Sequence, residues 1–131
     1  MNGKRIDFVA DTSAIVLLCR RDPQVEKIVR GKHFAITFVT LAELSLGVLK
    51  AVNPNAAWSQ VVEVVRDQTL FHVSAKTPAL YARIYFDLEQ RGVKIPVNDV
   101  WIAALAVESG LPLLARDEHF SRVSGLTVIQ C

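Results

Sequence analysis

Four acidic residues sit inside otherwise apolar sequence: Asp11 in FVADTSAIV, Glu43 in VTLAELSLGV, Asp99 in IPVNDVWIAA and Asp117 in LLARDEHF. A carboxylate in such a context is costly to bury, and several brought together repel and raise one another's pKa unless a cation or hydrogen-bond donors compensate. Hard divalent ions provide that compensation. Mg²⁺ takes oxygen ligands, commonly one or two carboxylates with water and phosphate completing its shell, and Mn²⁺ suits the same donors. Zinc is disfavoured, because His and Cys are absent from the four. Such a group could hold one ion, or two about 4 Å apart, which is the arrangement that activates water and stabilises the leaving oxygen of a phosphodiester.

Each acid taken singly also has a plainer reading. Asp11 is placed to cap the helix that follows it. Glu43 stands three residues after Thr40, which is capping-box spacing. Asp99 near a helix start complements the macrodipole, and Asp117 after a strand is an ordinary turn residue. The weight of the argument lies in all four falling where one architecture would bring them to one edge.

That architecture follows from the elements. Ile6 to Ala10 reads as a strand, and Ser13 to Arg20 continues at helical spacing. Asp22-Pro23 opens a helix to about Arg30, stopped by Gly31; Phe34 to Phe38 is the second strand; Thr40 caps a helix through Leu49. Asn53-Pro54 launches a helix to about Arg66, with Ala57, Val61, Val62 and Val65 as its apolar stripe, and Leu70 to Val73 is the third strand. Thr77-Pro78 starts a helix whose Leu80, Ile84 and Leu88 share a face until Arg91-Gly92. Asn98 caps a nearly all-apolar helix closed by Gly110. Leu111 to Ala115 is the fourth strand, Glu118 to Val123 a helical turn and Thr127 to Ile129 the last strand. Short apolar strands alternating with helices predict a three-layer α/β/α domain around a parallel sheet, with its ligand crevice outside the carboxyl ends of the strands where the strand order reverses.

The composition fits one domain spanning residues 1–131. At 51% hydrophobic residues the chain can fill one core, and 21% charged residues with few Gly or Pro exclude long disordered segments. A formal charge of +2 is far from the excess of proteins that coat nucleic acid by charge alone, so any nucleic-acid contact is local. Cys19 and Cys131 signal neither a zinc site nor a disulfide framework. No run reaches the roughly 20 apolar residues of a membrane span, and the apolar stretch near the start is too short for a signal peptide; a soluble, cytoplasmic protein without membrane contact is expected.

At these same residues the chain resembles the PIN-domain family, and within it the VapC toxins of type II toxin–antitoxin systems, over essentially its whole length. VADTSA matches the family's opening strand ending in an Asp and a small hydroxyl residue. Glu43-Leu44 matches its acidic helix start, Ile95 to Ala104 its most specific segment, and Ala115 to Phe120 its last acidic motif. The resemblance implies that Asp11, Glu43, Asp99 and Asp117 form an acidic pocket binding Mg²⁺ or Mn²⁺, with Asn98 as an orienting neighbour. It further implies a five-stranded sheet in the order 3-2-1-4-5, endonucleolytic cleavage of structured RNA such as transfer RNA, homodimerisation, and inhibition by a cognate antitoxin protein. One departure stands out: Ala115 occupies a position where many relatives have Thr or Ser, leaving Thr12 or Ser13 as substitutes for the missing hydroxyl.

RNA phosphates need cations beside an acidic pocket, since phosphate contacts position a strand. Arg116, Arg20, Arg21, Arg91, Lys94 and Arg122 are candidates, Arg116 foremost because it adjoins Asp117. His119 could touch RNA, although a His in a DEHF turn more often bonds locally. Trp101, Tyr81, Tyr85 and Phe86 could stack on bases, but their helical placement favours core or dimer interface. Other Asp-first folds fit less well: a haloacid-dehalogenase-type phosphotransferase needs an acid where Ser13 stands, an adhesion-type DxSxS site needs a Ser where Ile15 stands, and a receiver domain needs adjacent acids. The remaining rival is a noncatalytic PIN-fold module that binds RNA or protein, resting on Ala115.

Overall fold

The computed structural model describes residues 4–131. Its elements in chain order are β1 (Phe8–Ala10), α1 (Thr12–Cys19), α2 (Pro23–Val29), β2 (Phe34–Thr37), α3 (Phe38–Leu49), α4 (Pro54–Val65), β3 (Thr69–Phe71), α5 (Thr77–Gln90), α6 (Val97–Ser109), β4 (Leu113–Ala115), a 3₁₀ turn (Glu118–Arg122) and β5 (Val128–Gln130).

Two helix starts form as read. The Asp22 side chain accepts from the Val25 N–H at 3.1 Å and that of Asn53 from the Ala56 N–H at 3.1 Å, each followed by a proline in the first turn. The start of α5 at Thr77-Pro78 is also as read, and two others differ. Thr37, not Thr40, caps α3, accepting from the Thr40 N–H at 3.2 Å. Because β2 runs straight into α3, Phe38 belongs to the helix, and Glu43 lies too far in to close a capping box. Helix α6 begins after Pro96, whose carbonyl accepts from the Asp99 and Val100 N–H groups, so Asn98 lies inside the helix. Thr77 is the first residue of α5; its hydroxyl accepts from the Ser74 N–H at 2.9 Å and donates to Glu108 at 2.6 Å, tying the start of α5 to the end of α6. Gly110 ends α6 at φ 72°, the left-handed conformation that favours glycine.

The sheet is five-stranded, its neighbours parallel, in the order β3-β2-β1-β4-β5. β1, β2 and β4 are trimmed relative to the apolar runs that signalled them, β3 begins one residue earlier and ends two sooner, and β5 is shifted by one residue, because pairing between strands, extending over two or three residues, sets the bounds. Alternation along the strands divides the core. Val9, Ala35, Leu113 and Ala115 face α5 and α6, where Ile84, Leu88, Ile102, Ala103 and Ala106 are buried. Phe8, Ala10, Phe34, Ile36 and Leu114 face the opposite layer, with Ile15, Val25, Leu44 and Val61. Helix α6 is buried along most of its length, as its all-apolar sequence requires. Among the described residues no helix is long and apolar enough to cross a membrane.

Strand order reverses at β1, with β2 on one side and β4 on the other. Asp11 follows β1 and Asp117 lies two residues beyond β4. A hydrogen bond from the Asp11 N–H to the Leu114 carbonyl, 3.0 Å, fixes the two strand ends side by side.

Candidate metal centre

Asp11 is 4% exposed, the most deeply buried of the four acids. Its carboxylate caps α1, accepting from the Ala14 N–H at 2.8 Å and from the Ser13 hydroxyl, which lies 2.9 Å from both oxygens. Burial nevertheless pushes its pKa up to about 6 against these donors, and the charges of Asp99 and Asp117 add to the rise. The capping reading of Asp11 therefore holds, and the same residue feels the other acids.

Asp99 occupies the first turn of α6 and accepts from His119 Nε2 at 2.7 Å. Its pKa is raised by burial, opposed by the bond and charge of His119, and raised further by Glu43 and Asp117. Glu43 projects from α3 toward α1 and α6: its Oε1 accepts from the Thr12 hydroxyl at 2.5 Å and its Oε2 from the Asn98 amide at 3.3 Å. Thr12 also lies 3.0 Å from the buried Thr40 hydroxyl. Asp117 is exposed at the end of β4.

The four acids thus converge electrostatically on one edge, but their donor atoms are not equivalent. Among the described residues, the group with ligand atoms all within 4.8 Å of one another is Asp99, Asp117 and His119. Asp11 stands behind it, engaged by Ser13 and Ala14; Glu43 stands beside it, held by Thr12 and Asn98. Carboxylates close enough that the charge of Asp117 raises the pKa of both Asp11 and Asp99, joined by one imidazole, are the donor chemistry of a divalent-cation site. The imidazole also removes the ground on which zinc was set aside, since a histidine does belong to the constellation. Nothing local in the sequence signals this, because Asp99 and His119 are 20 residues apart and meet through the fold.

The hydroxyl missing at Ala115 is not supplied by Thr12 or Ser13, which serve Glu43 and Asp11. Ala115 is fully buried against α6, and among the described residues no buried side-chain polar atom lacks a partner, so its absence orphans nothing.

The candidate cations separate by place. Arg116 adjoins Asp117 and donates through Nε to the main-chain oxygen of Cys131 at 2.8 Å. Arg91 is paired with Asp87 at 2.8 Å and also donates to the Arg122 carbonyl, a brace between α5 and the 3₁₀ turn. Lys94 precedes α6 and lines an apolar groove with Tyr85, Leu88 and Val93. Arg20 and Arg21 do not join the site: they follow the last residue of α1, about 12 Å along the helix axis from Asp11, and Arg21 pairs weakly with Glu63 at 3.9 Å. Of the aromatic residues, Tyr81 stacks on Trp101 at 4.0 Å with Phe38 edge-on to Trp101 at 6.4 Å, whereas Tyr85 and Phe86 are exposed.

Residues 8–126 match the family model described as PIN domain. The chain is 31% identical over 133 aligned positions to Ribonuclease VapC4 of Mycobacterium tuberculosis, covering 98% of both chains, and 30% identical over 124 to Ribonuclease VapC5 of the same organism, covering 93% of this chain and 91% of that one. Among solved structures it is similar to the M. tuberculosis toxin–antitoxin complex VapBC-5, with TM-score 0.79 and 27% identity over 97% of this chain and all of that one. It is similar in fold to Rickettsia felis VapBC2 bound to a promoter DNA fragment, with TM-score 0.86 and 24% identity over 95% of this chain and 98% of that one.

Proposed function

The chain belongs to the PIN-domain family, and from that premise we propose that it is a divalent-metal-dependent endoribonuclease acting as the toxin of a VapBC-type toxin–antitoxin pair. The observation that carries this reading is the convergence of Asp99, Asp117 and His119, with Asp11 and Glu43 behind and beside them, at the carboxyl ends of β1 and β4. The ribonuclease names of the relatives support the reaction class, and the toxin–antitoxin complexes among the structural neighbours support an antitoxin partner.

Asp99 and Asp117 would hold Mg²⁺ or Mn²⁺, with Asp11 and Glu43 completing the acidic pocket. When bound, the ion supplies Lewis acidity that polarises the scissile phosphate and activates water for in-line attack. Ser13 and the Ala14 N–H keep the Asp11 carboxylate fixed, and Thr12 and Asn98 orient Glu43, so that the acidic wall is rigid before RNA arrives. Arg116, next to Asp117, and Lys94, three residues before α6, contact RNA phosphates; Arg122 contributes from the turn that carries His119. Structured RNA such as transfer RNA is the substrate, in the cytoplasm, and the antitoxin inhibits. Residues 1–131 act as one domain, and exposed apolar side chains such as Tyr85, Phe86 and Val97 on α5 and α6 offer a face for a second copy.

Purified protein should cleave RNA in Mg²⁺ or Mn²⁺, lose cleavage in EDTA, and lose it about 100-fold or more in Asp99→Asn. Induction should arrest growth, and induction of Asp99→Asn should not. RNA binding without cleavage in any divalent ion would instead establish the noncatalytic module.

A further inference from the structure

We propose that His119 is a direct ligand of the divalent ion through Nε2, alongside Asp99 and Asp117, and that it tilts the centre toward borderline d-block ions such as Co²⁺ relative to Mg²⁺. The inference rests on the reading of this pocket as a metal centre and specifies which ions it takes.

Three observations carry it. The ring is aimed inward, with Nε2 2.7 Å from Asp99 Oδ2, a direction that leaves this nitrogen unavailable to an RNA phosphate. Its backbone is anchored, because the next residue, Phe120, is fully buried and the two rings lie 4.9 Å apart. The three side chains are already gathered: each brings a ligand atom within 4.8 Å of the other two, and donors about 2.1 Å from one ion stand roughly 3 to 4 Å apart, so side-chain rotation of about an ångström brings them onto a shared centre. Ion entry then exchanges the Nε2–Oδ2 hydrogen bond for two bonds to the ion, with any proton on Nε2 released to solvent and Nδ1 carrying the ring hydrogen.

The chemistry of the donor decides the preference. Mg²⁺ demands oxygen and gains little from an imidazole, whereas nitrogen donors favour the later divalent ions, with affinity rising from Mn²⁺ to Co²⁺. A histidine that only positioned Asp99 by hydrogen bonding would affect all ions alike.

The test uses the full chain stripped of metal. Pulsed EPR of the wild type loaded with Mn²⁺ should show coupling to a directly bound ¹⁴N that disappears in His119→Gln. Calorimetric titration should show His119→Gln losing about tenfold in Co²⁺ affinity while Mg²⁺ affinity changes less than about threefold. Absence of nitrogen coupling in the wild type, or equal losses for Co²⁺ and Mg²⁺, overturns the ligand role; the EPR measurement needs no variant to fold. Asp117→Asn separates the two levels. If it weakens every ion but no nitrogen is coupled, the metal centre stands and His119 is not its ligand. If it leaves every ion's binding unchanged, the centre itself is wrong.

Discussion

At the scale of single residues, the buried Asp11 carboxylate is costly to the fold without a cation. Asp11 ionises in the unfolded chain near its ordinary value of 3.8 but only near 6 when folded. Between those values the folded state binds more protons than the unfolded one, so metal-free stability falls as pH rises from about 4 to about 6, and the penalty persists above. Asn keeps the cap and removes the charge. In EDTA at pH 8, Asp11→Asn should therefore be more stable than wild type by about 1–3 kcal/mol, with the gap closing by pH 4, as measured by urea unfolding. A variant less stable than wild type at pH 8 would contradict the account of Asp11. Thr12 acts through Glu43: Thr12→Val removes the 2.5 Å bond to Oε1 and should slow RNA cleavage about tenfold or more, while Thr12→Ser retains the rate. Equal rates for Thr12→Val and wild type would show that Glu43 needs no such anchor.

At the scale of elements, the helices that carry the acids are set by local chemistry that two glycines probe in opposite directions. Gly47 lies inside α3, the helix of Glu43, with nothing within 4 Å of an added Cβ, so Gly47→Ala should stabilise by about 0.5–1 kcal/mol through helix propensity. Gly110 ends α6, the helix of Asp99, equally free of neighbours but at φ 72°, so Gly110→Ala should cost about 1 kcal/mol from backbone conformation alone. Thermal melts of the pair should move in opposite directions; shifts of the same sign would refute this. The elements also show where sequence is legible. Asp22-Pro23 and Asn53-Pro54 declare their helices because cap and proline act within one turn. The α3 start is ambiguous, because Thr37 and Thr40 are both hydroxyl residues at the edge of an apolar run, and only the pairing of β2 with β1 and β3 decides that Thr37 ends the strand and caps the helix.

At the scale of the whole molecule, one sheet is the shared wall of both cores. Val9 belongs to one core and its neighbours Phe8 and Ala10 to the other, so neither layer can unfold without exposing the sheet to both. A single calorimetric transition is expected. On the proposed metal centre Mn²⁺ would bind the assembled edge and not the unfolded chain; at 100 times its Kd it should stabilise by about 2.7 kcal/mol and raise the midpoint by several degrees, and a fixed concentration should raise it more at pH 7.5 than at pH 5 because protons compete for the carboxylates. Two transitions, or a midpoint that no divalent ion moves at either pH, would contradict this picture of the fold and its centre.

The amino-acid sequence by itself determined the alternation of strands and helices, the parallel sheet it requires, and the four acids set in apolar sequence, Asp11 and Asp117 after strands and Asp99 at a helix start, because hydrophobic period, prolines and caps act over a few residues; that Glu43 lies inside its helix was decided by where β2 ends. Tertiary structure alone decided which donor atoms share a small volume. It set Asp99 beside His119 across 20 residues, assigned Thr12 to Glu43 and Ser13 to Asp11, and left Arg20 and Arg21 at the far end of α1. Those outcomes depend on strand register and helix docking, which bring side chains together without regard to their separation along the chain.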